Sequence, residues 1–325
     1  MISLSEIRLE RPLKMSAKRY LVTGAAGFIG AAVARRLISE GAEVWTIDNL
    51  STGFAESIPD GVKSIQGNCQ DGDVIARLGD TRFDAILHMA GQSSGEISFD
   101  DPVYDLRTNT ESTLRLINFG LEHGCRRFVY ASSMSVYGNV PETSITETWE
   151  PRPLSFYGIG KLASEHYMRI YESKGLQPTA LRFFNVYGPF QNMKNLRQGM
   201  VSIFLAQLIK HDKVTVKGAL DRFRDFIFID DVVDSFVSVI DKPQTYGGVF
   251  NIGSGVQTTV GELLNLLKAQ SGINKEIVIA PGTLGDQRGI QADVSLAKRV
   301  FGFEAKWTLE RGLAEMVRWA KAATW

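Results

Sequence analysis

Apolar positions along this chain alternate between two textures. Short runs rich in β-branched and aromatic residues cover 20–23, 43–47 (EVWTI), 84–88 (DAILH), 127–132 (RFVYAS) and 178–184, and such runs predict strands. Between them, residues 28–39, 103–120 and 156–171 carry apolar side chains at helical spacing. Strands alternating with helices predict an α/β fold, a doubly wound parallel sheet covered on both faces. In such a fold ligands bind beyond the carboxyl ends of the strands.

The texture changes after Asn185. A long connection over 187–200 holds Gly, Pro and several Asn, and the later elements are shorter and mixed. Strands are predicted at 226–229 and 249–252, and helices at 230–240, 259–270 and 309–320. The expected organisation is an extension over 1–18, a core domain over 19–185, and a smaller C-terminal α/β domain over 186–325, some segments of which return to the first. A second methionine at Met15 leaves the start residue open between Met1 and Met15.

Composition adds mainly exclusions. Lys+Arg and Asp+Glu are both 36, so the formal net charge is zero, and no global field favours nucleic acid or an anionic membrane. No apolar run has the length of a membrane span. The N-terminal residues are charged throughout, unlike a signal peptide. The two cysteines, Cys69 and Cys125, and the four histidines, His88, His123, His166 and His211, show no metal-ligand spacing. A reduced, cytoplasmic protein without a metal is expected.

Chemistry enters with Gly24, Gly27 and Gly30, which sit between the first strand and the first helix. Glycine there permits a tight turn, close approach of a pyrophosphate, and close helix–strand packing. The helix start adds N–H donors and the positive end of its dipole. The spacing is GxxGxxG rather than GxGxxG, and alone it is equally a structural turn. Asp48 follows eighteen residues after Gly30, at the end of the second strand. A carboxylate there accepts from ribose hydroxyls and repels a 2′-phosphate, and the next residue is Asn49 rather than Arg. NAD is therefore expected over NADP, in a Rossmann-type domain.

Tyr157 and Lys161 form a Tyr-x-x-x-Lys pair in YGIGK. A phenol ionises near pH ~10, and a lysine one helical turn away favours its phenolate. Holding phenolate at neutral pH takes about 4 kcal/mol of differential stabilisation, which a positively charged nicotinamide and Lys161 can supply together. Taken alone, the pair is also what an ordinary amphipathic helix shows.

With TGAAGFIG, DNLSTG, HMAGQSS, Asn109, VYASSMSVYG, YGIGK, LRFFNVYGP, RDFIFIDD, FNIGSG and GDQRGIQADVS in one order, the chain resembles the extended short-chain dehydrogenase/reductase family. The likeness is to its nucleotide-sugar epimerase/dehydratase branch and runs from Arg19 to Trp319. The resemblance implies an NAD-binding Rossmann domain, a small nucleotide-sugar domain and a homodimer. It implies cofactor contacts from Gly24, Gly27, Phe28, Ile29, Gly30, Asp48, Asn49, Asn68, Cys69, Met89, Ala90, Gly91, Asn109, Tyr157, Lys161 and Phe183. Substrate contacts are implied for Gln92, Ser133, Ser135, Asn185 and Arg224, the last two at the diphosphate. Ser133 matches the residue bonding the reacting hydroxyl, and Tyr157 the acid/base. Lys161 matches the lysine that binds the nicotinamide ribose and lowers the tyrosine pKa. For Arg224 a surface ion pair with Asp221 or Asp225 is the competing reading.

The departures narrow the chemistry. Dehydratases of the branch carry an Asp-Glu pair after the Ser/Thr, where this chain has Met134 and Ser135; neither serves as a carboxylate acid or base. Ser135 also weakens a decarboxylase reading. Many members have an arginine shortly before the Gly-Asp pair, but here Gly-Thr-Leu precedes Gly285-Asp286, leaving Arg288 or Arg197 to compensate. Asn68 stands where relatives often have Asp. The expected function is C4 epimerisation of a nucleoside-diphosphate sugar, UDP being the family default, through a 4-keto intermediate. A one-way 4-ketoreductase or dehydrogenase is the alternative, followed by a non-catalytic NAD-binding sensor. The sugar stays open: Ile290, near the position that limits the N-acetyl pocket in relatives, is of intermediate size.

Overall fold

The structure, a computed structural model, describes residues 17–141, 143–282, 287–323 and 325. The expected N-terminal extension thus falls, up to residue 16, outside the described residues, as do Gly285 and Asp286.

Seven parallel strands form the central sheet. From edge to edge they are Gly248–Ile252, Gln177–Phe183, Arg127–Ser133, Ala85–His88, Arg19–Thr23, Glu43–Asp48 and Lys63–Gln66. Alternate side chains enter two different cores, as the two-residue period of a strand requires. Val22, Leu87 and Val129 join Val33, Leu37 and Phe236 on one face. Leu21, Ile86 and Phe128 join Leu116 and Ile117 on the other. Every residue of Arg127–Ser133 is buried, which is why the central strands read as continuous apolar runs. The order reverses at Arg19–Thr23, whose neighbours come from residues 43–48 on one side and 85–88 on the other. That switch point opens a crevice at the carboxyl end of the sheet.

Several elements differ from the sequence expectation. Lys63–Gln66 is an edge strand with one buried residue, Ile65, so its pattern is too weak to see. The helix expected over 103–120 is a composite, Pro102–Leu106, a π turn at Arg107–Glu111, and Ser112–Glu122. A helix at Met200–Lys210 closes the long connection. Its start, Gly199, has φ 84, and no N-cap side chain marks it.

The seventh strand of the sheet, Gly248–Ile252, comes from beyond residue 185. Helix Ile229–Val239 likewise packs on helix Phe28–Ser39, with Arg36 reaching Asp234 at 2.9 Å. The remaining C-terminal segments build a three-stranded sheet with Phe223–Phe228 between Asn185–Tyr187 and Gln257–Thr259. They add a parallel pair, Lys213–Lys217 with Glu276–Ala280, and the helices Val260–Ser271, Ser295–Phe301 and Leu309–Ala322. Thr259 and Glu262 close a capping box on Val260–Ser271.

Close backbone approach at the head of the sheet sets the geometry of the glycine turn. A Cβ on Gly30 would lie 2.1 Å from the Gly24 carbonyl oxygen. Gly30→Ala should therefore cost about 1–3 kcal/mol, read as a lower urea midpoint at unchanged slope. Gly282→Ala, with nothing within 4 Å of the new methyl, should leave the midpoint where it is.

Candidate active site

A cavity of about 370 Å³ lies at the switch point. Gly24, Gly27, Phe28, Ile29 and Gly30 form one wall, Asp48, Asn49, Asn68 and Cys69 one end, and Met89, Ala90 and Gly91 the facing loop. Ser133, Ser135, Tyr157, Lys161, Phe183 and Asn185 line the opposite side. Of the residues singled out in the sequence, these converge on one cleft.

The glycine turn is braced from the second strand. Gly24 has φ 78, and its N–H donates to the Ile47 carbonyl at 3.0 Å. The Asp48 carboxylate accepts from Ala26 N at 2.9 Å and from Leu50 N at 2.8 Å. Asn49 donates to Asn68 at 2.8 Å, and Asn68 to Asp71 at 2.8 Å. Burial pushes the Cys69 thiol up, which suits packing rather than reactivity.

The facing loop hangs on a buried polar chain that the sequence reading did not single out. The Thr23 hydroxyl accepts from the N–H groups of Met89 and Ala90, each at 3.1 Å, and meets His88 Nδ1 at 2.8 Å. His88 Nε2 meets the Ser112 hydroxyl at 3.2 Å, which donates to the Thr108 carbonyl at 2.5 Å. One assignment satisfies every group: Thr23 donates to Nδ1, and His88 carries its proton on Nε2. Burial, with Lys161 adding, pulls His88 down to about 3, so it stays neutral and fixed. Thr23 directly before the glycine turn was the available signal.

Tyr157 lies in the first turn of helix Phe156–Tyr171, capped by Ser155, whose hydroxyl accepts from Gly158 N at 3.1 Å. A Cβ on Gly158 would lie 2.5 Å from the Ser135 carbonyl, so the glycine of YGIGK lets this helix meet the Ser133–Ser135 segment. Lys161 Nζ donates to the Ala131 carbonyl at 2.9 Å and lies 5.6 Å from the centre of the Tyr157 ring. In the protein alone the phenol is not the low-pKa group the resemblance implies. Burial pushes it up to about 12; the Ser133 hydroxyl acts downward and Asp105 upward. Burial also pulls Lys161 down to about 8, against the pull of Asp105 and Glu165.

Two implied contacts turn away from the cleft. The Gln92 amide donates to Ser94 O at 2.7 Å and to Asp105 at 2.8 Å. Asn109 is fully buried and donates to Gln92 O at 2.8 Å, holding the loop from behind. Arg224 lines a second cavity of about 310 Å³, which shares Ser135, Asn185 and Met134 with the first. Its guanidinium is buried and donates to the carbonyls of Phe223, Gln287 and Arg288. The alternative of a surface pair with Asp225 does not hold, because that carboxylate accepts from Ser254, Gly255 and Ala292. Arg197 lines the second cavity while bound to Glu96 and Asp100; Arg288 pairs with Asp221 at the surface. Ile290 lies fully buried in a cluster with Val136, Tyr137 and Phe184.

The residues present fit a dinucleotide. A side chain on Gly30 has no room, the first helical turn aims N–H groups into the cleft, and the Asp48 carboxylate closes its far end. Among the described residues no group of three His, Cys, Asp or Glu could hold a metal ion, and no helix is long and apolar enough to cross a membrane.

Known proteins agree with this geometry. The profile of the NAD-dependent epimerase/dehydratase family matches residues 20–253. A UDP-glucose 4-epimerase of Mycolicibacterium smegmatis is 35% identical over 92% of this chain and 97% of its own. The UDP-glucose 4-epimerase of Thermotoga maritima, solved with UDP-glucose, superposes with a TM-score of 0.90 at 35% identity, covering 94% of this chain and 99% of that one. That of Thermus thermophilus, solved with NAD, gives 0.88 at 32% identity over 94% and 100%. The glycine cleft, the Ser–Tyr–Lys cluster and these likenesses have one explanation: the chain belongs to the NAD-dependent epimerase/dehydratase family.

Proposed function

We propose that this chain inverts C4 of a nucleoside-diphosphate sugar, a UDP-hexose by preference, and keeps its NAD throughout. The observation that carries this reading is the convergence of Ser133, Tyr157 and Lys161 on the glycine cleft, with Met134 and Ser135 in place of carboxylates.

NAD, when bound, would supply the acceptor for the hydride that leaves the sugar C4 and, in its oxidised form, a positive charge. The glycine turn and the start of helix Phe28–Ser39 would hold its pyrophosphate, and Asp48 its adenosine ribose. Lys161 would donate to the nicotinamide ribose while its charge lies 5.6 Å from the centre of the Tyr157 ring. Tyr157 takes the C4 hydroxyl proton, directly or through Ser133, and returns it after the 4-keto sugar has turned. Arg224 and Asn185, in the second cavity, anchor the diphosphate while the sugar rotates. Met134 offers neither acid nor base to an elimination. Residues 19–185 thus serve the cofactor and most of 186–325 the nucleotide sugar. Two buried free thiols, Cys69 and Cys125, suit a reduced cytoplasmic setting.

A homodimer belongs to the same reading. Phe156, Ile159, Tyr167 and Ile170 expose an apolar stripe on helix Phe156–Tyr171, and Val103 and Leu106 continue it on the adjacent helix. Such a stripe fits a second copy of itself.

An NMR time course with UDP-, GDP-, CDP- and dTDP-sugars, without added cofactor, should show C4 inversion and name the sugar. Stoichiometric NADH consumption with 4-keto sugars and no inversion would make the enzyme a ketoreductase; NAD binding without any turnover would make it a sensor. Tyr157→Phe should lower kcat by about 10²–10⁴-fold with NAD binding and melting intact, and near-normal turnover would remove Tyr157 from the chemistry. The double variant Ile159→Glu, Ile170→Glu should run as a monomer in light scattering where the parent chain is a dimer.

A further inference from the structure

Behind the Tyr157–Lys161 turn lies a carboxylate that the mechanism above does not use. Asp105, on helix Pro102–Leu106, has 0% exposure. Its Oδ2 accepts from Gln92 Nε2 at 2.8 Å and from Asn109 Nδ2 at 3.3 Å. Its Oδ1 finds no hydrogen-bond partner among the described residues, and neither does the buried Oδ1 of Asn109. Only Gly160 separates it from the helix that carries the site: a Cβ built there would lie 3.4 Å from Asp105 Oδ1. Gly160 stands between Tyr157 and Lys161 in that helix.

A buried acceptor without a donor is destabilising, and a buried charge without full pairing more so. Asparagine would remove the buried charge at this position, and its amide oxygen would keep an acceptor for Gln92 and Asn109. The carboxylate is therefore held against a stability gradient, as happens where a group serves chemistry rather than packing.

The groups around Asp105 leave two targets for its charge. On helix Phe156–Tyr171, Tyr157 and Lys161 flank Gly160 and act on Asp105 electrostatically; burial pushes the Asp105 carboxyl up, against Gln92, Asn109 and Lys161, while Glu165 is bound to Arg182 at 2.6 Å. The turn Ile97–Phe99 brings no titratable side chain, and Glu96 and Asp100 beside it are bound to Arg197. The facing loop brings the Gln92 amide. On its own side the Tyr104 hydroxyl meets Asn49, Asp101 caps the Tyr104 N–H, and Arg107 pairs with Glu111 and Asp71.

We propose that Asp105 is a positioning residue that acts through its charge, holding the proton on the buried Lys161 ammonium and on the Tyr157 phenol. The proposal rests on the acid–base reading of Tyr157 and Lys161. Its negative charge favours the ammonium and disfavours the phenolate, so both groups hold their protons to higher pH. Removing that charge moves both ionisations down. In the NAD-loaded chain, where the charge of the oxidised cofactor would bring the Tyr157 ionisation below that of Lys161, the acid limb of a bell-shaped kcat/KM profile belongs to Tyr157 losing its proton and the alkaline limb to Lys161 losing its own. Both limbs then shift toward acid.

The test compares the NAD-loaded parent chain with Asp105→Asn and Asp105→Glu by kcat/KM against pH, by thermal melting, and by tyrosinate absorbance titration with Tyr157→Phe as the blank. In Asp105→Asn both limbs, and the Tyr157 titration, should move to lower pH by about one unit, while Tm stays level or rises. Asp105→Glu, which keeps the charge, should keep the parent profile. A profile in Asp105→Asn that superimposes on the parent overturns the proposal, as does an equal shift in Asp105→Glu. A loss of folding or a Tm drop of several degrees in Asp105→Asn also overturns it, because the argument requires asparagine to be tolerated. Full activity in Tyr157→Phe would instead overturn the acid–base reading itself, and is told apart by that variant alone.

Discussion

The site depends on backbone segments meeting at the head of a parallel sheet with no side chain between them. The Gly24 carbonyl occupies the space a methyl on Gly30 would need, and the Ser135 carbonyl the space of one on Gly158. The first contact seats a helix start over the switch point. The second brings the helix of Tyr157 and Lys161 onto the segment that carries Ser133. Packing of this density tolerates little displacement, so cofactor cleft and acid–base cluster are held in register by backbone sterics before any ligand arrives.

Polar groups buried behind these contacts finish the alignment. The composite helix from Pro102 to Glu122 buries Asp105, Thr108, Asn109, Thr110, Ser112 and Thr113 along one side. Its π turn leaves the Asn109 carbonyl to accept from Ser164 at 2.8 Å and Thr113 at 2.9 Å, tying it to the Tyr157 helix. π turns are frequent at functional sites; this one sets the spacing of the loop supports. On the other side Glu165 accepts from Arg182 at 2.6 Å and from Ser132 at 2.5 Å, and Arg182 donates to Tyr137 at 2.9 Å. A pair buried in this way is strongly destabilising to break from one side, so the strand ends under Ser133 are rigidly held.

Many motif residues prove to be joints between segments. Asp225 of RDFIFIDD ties Ser254, Gly255 and Ala292 together, and Asp231 accepts from Lys306 N and Trp307 N. Gln92 and Asn109 support the cofactor loop from behind. A carboxylate or amide in a motif looks the same in sequence whether it meets a ligand or a distant backbone N–H. The distinction depends on which way the side chain points, and no local pattern records that.

What the sequence by itself determined is whatever repeats locally. The alternation of buried runs and helical spacing defined five of the six sheet strands up to Gln177–Phe183, and the seventh, Gly248–Ile252, within a residue or two. The glycine turn, Asp48 and the Tyr–Lys pair were legible because each needs a residue type at a spacing set by one strand or one helical turn. Only the tertiary structure decided the rest. Lys63–Gln66 is a strand because Glu43–Asp48 offers it an edge, not because KSIQ alternates. Asn109 and Gln92 turn from the cleft because Asp105 takes their amides, and Asp105 stands behind Tyr157 because Gly160 lets two helices close together. The strand partners lie 18 positions apart, Gln92 and Asp105 13, and Asp105 and Gly160 55, so these energies appear only when the chain has closed on itself.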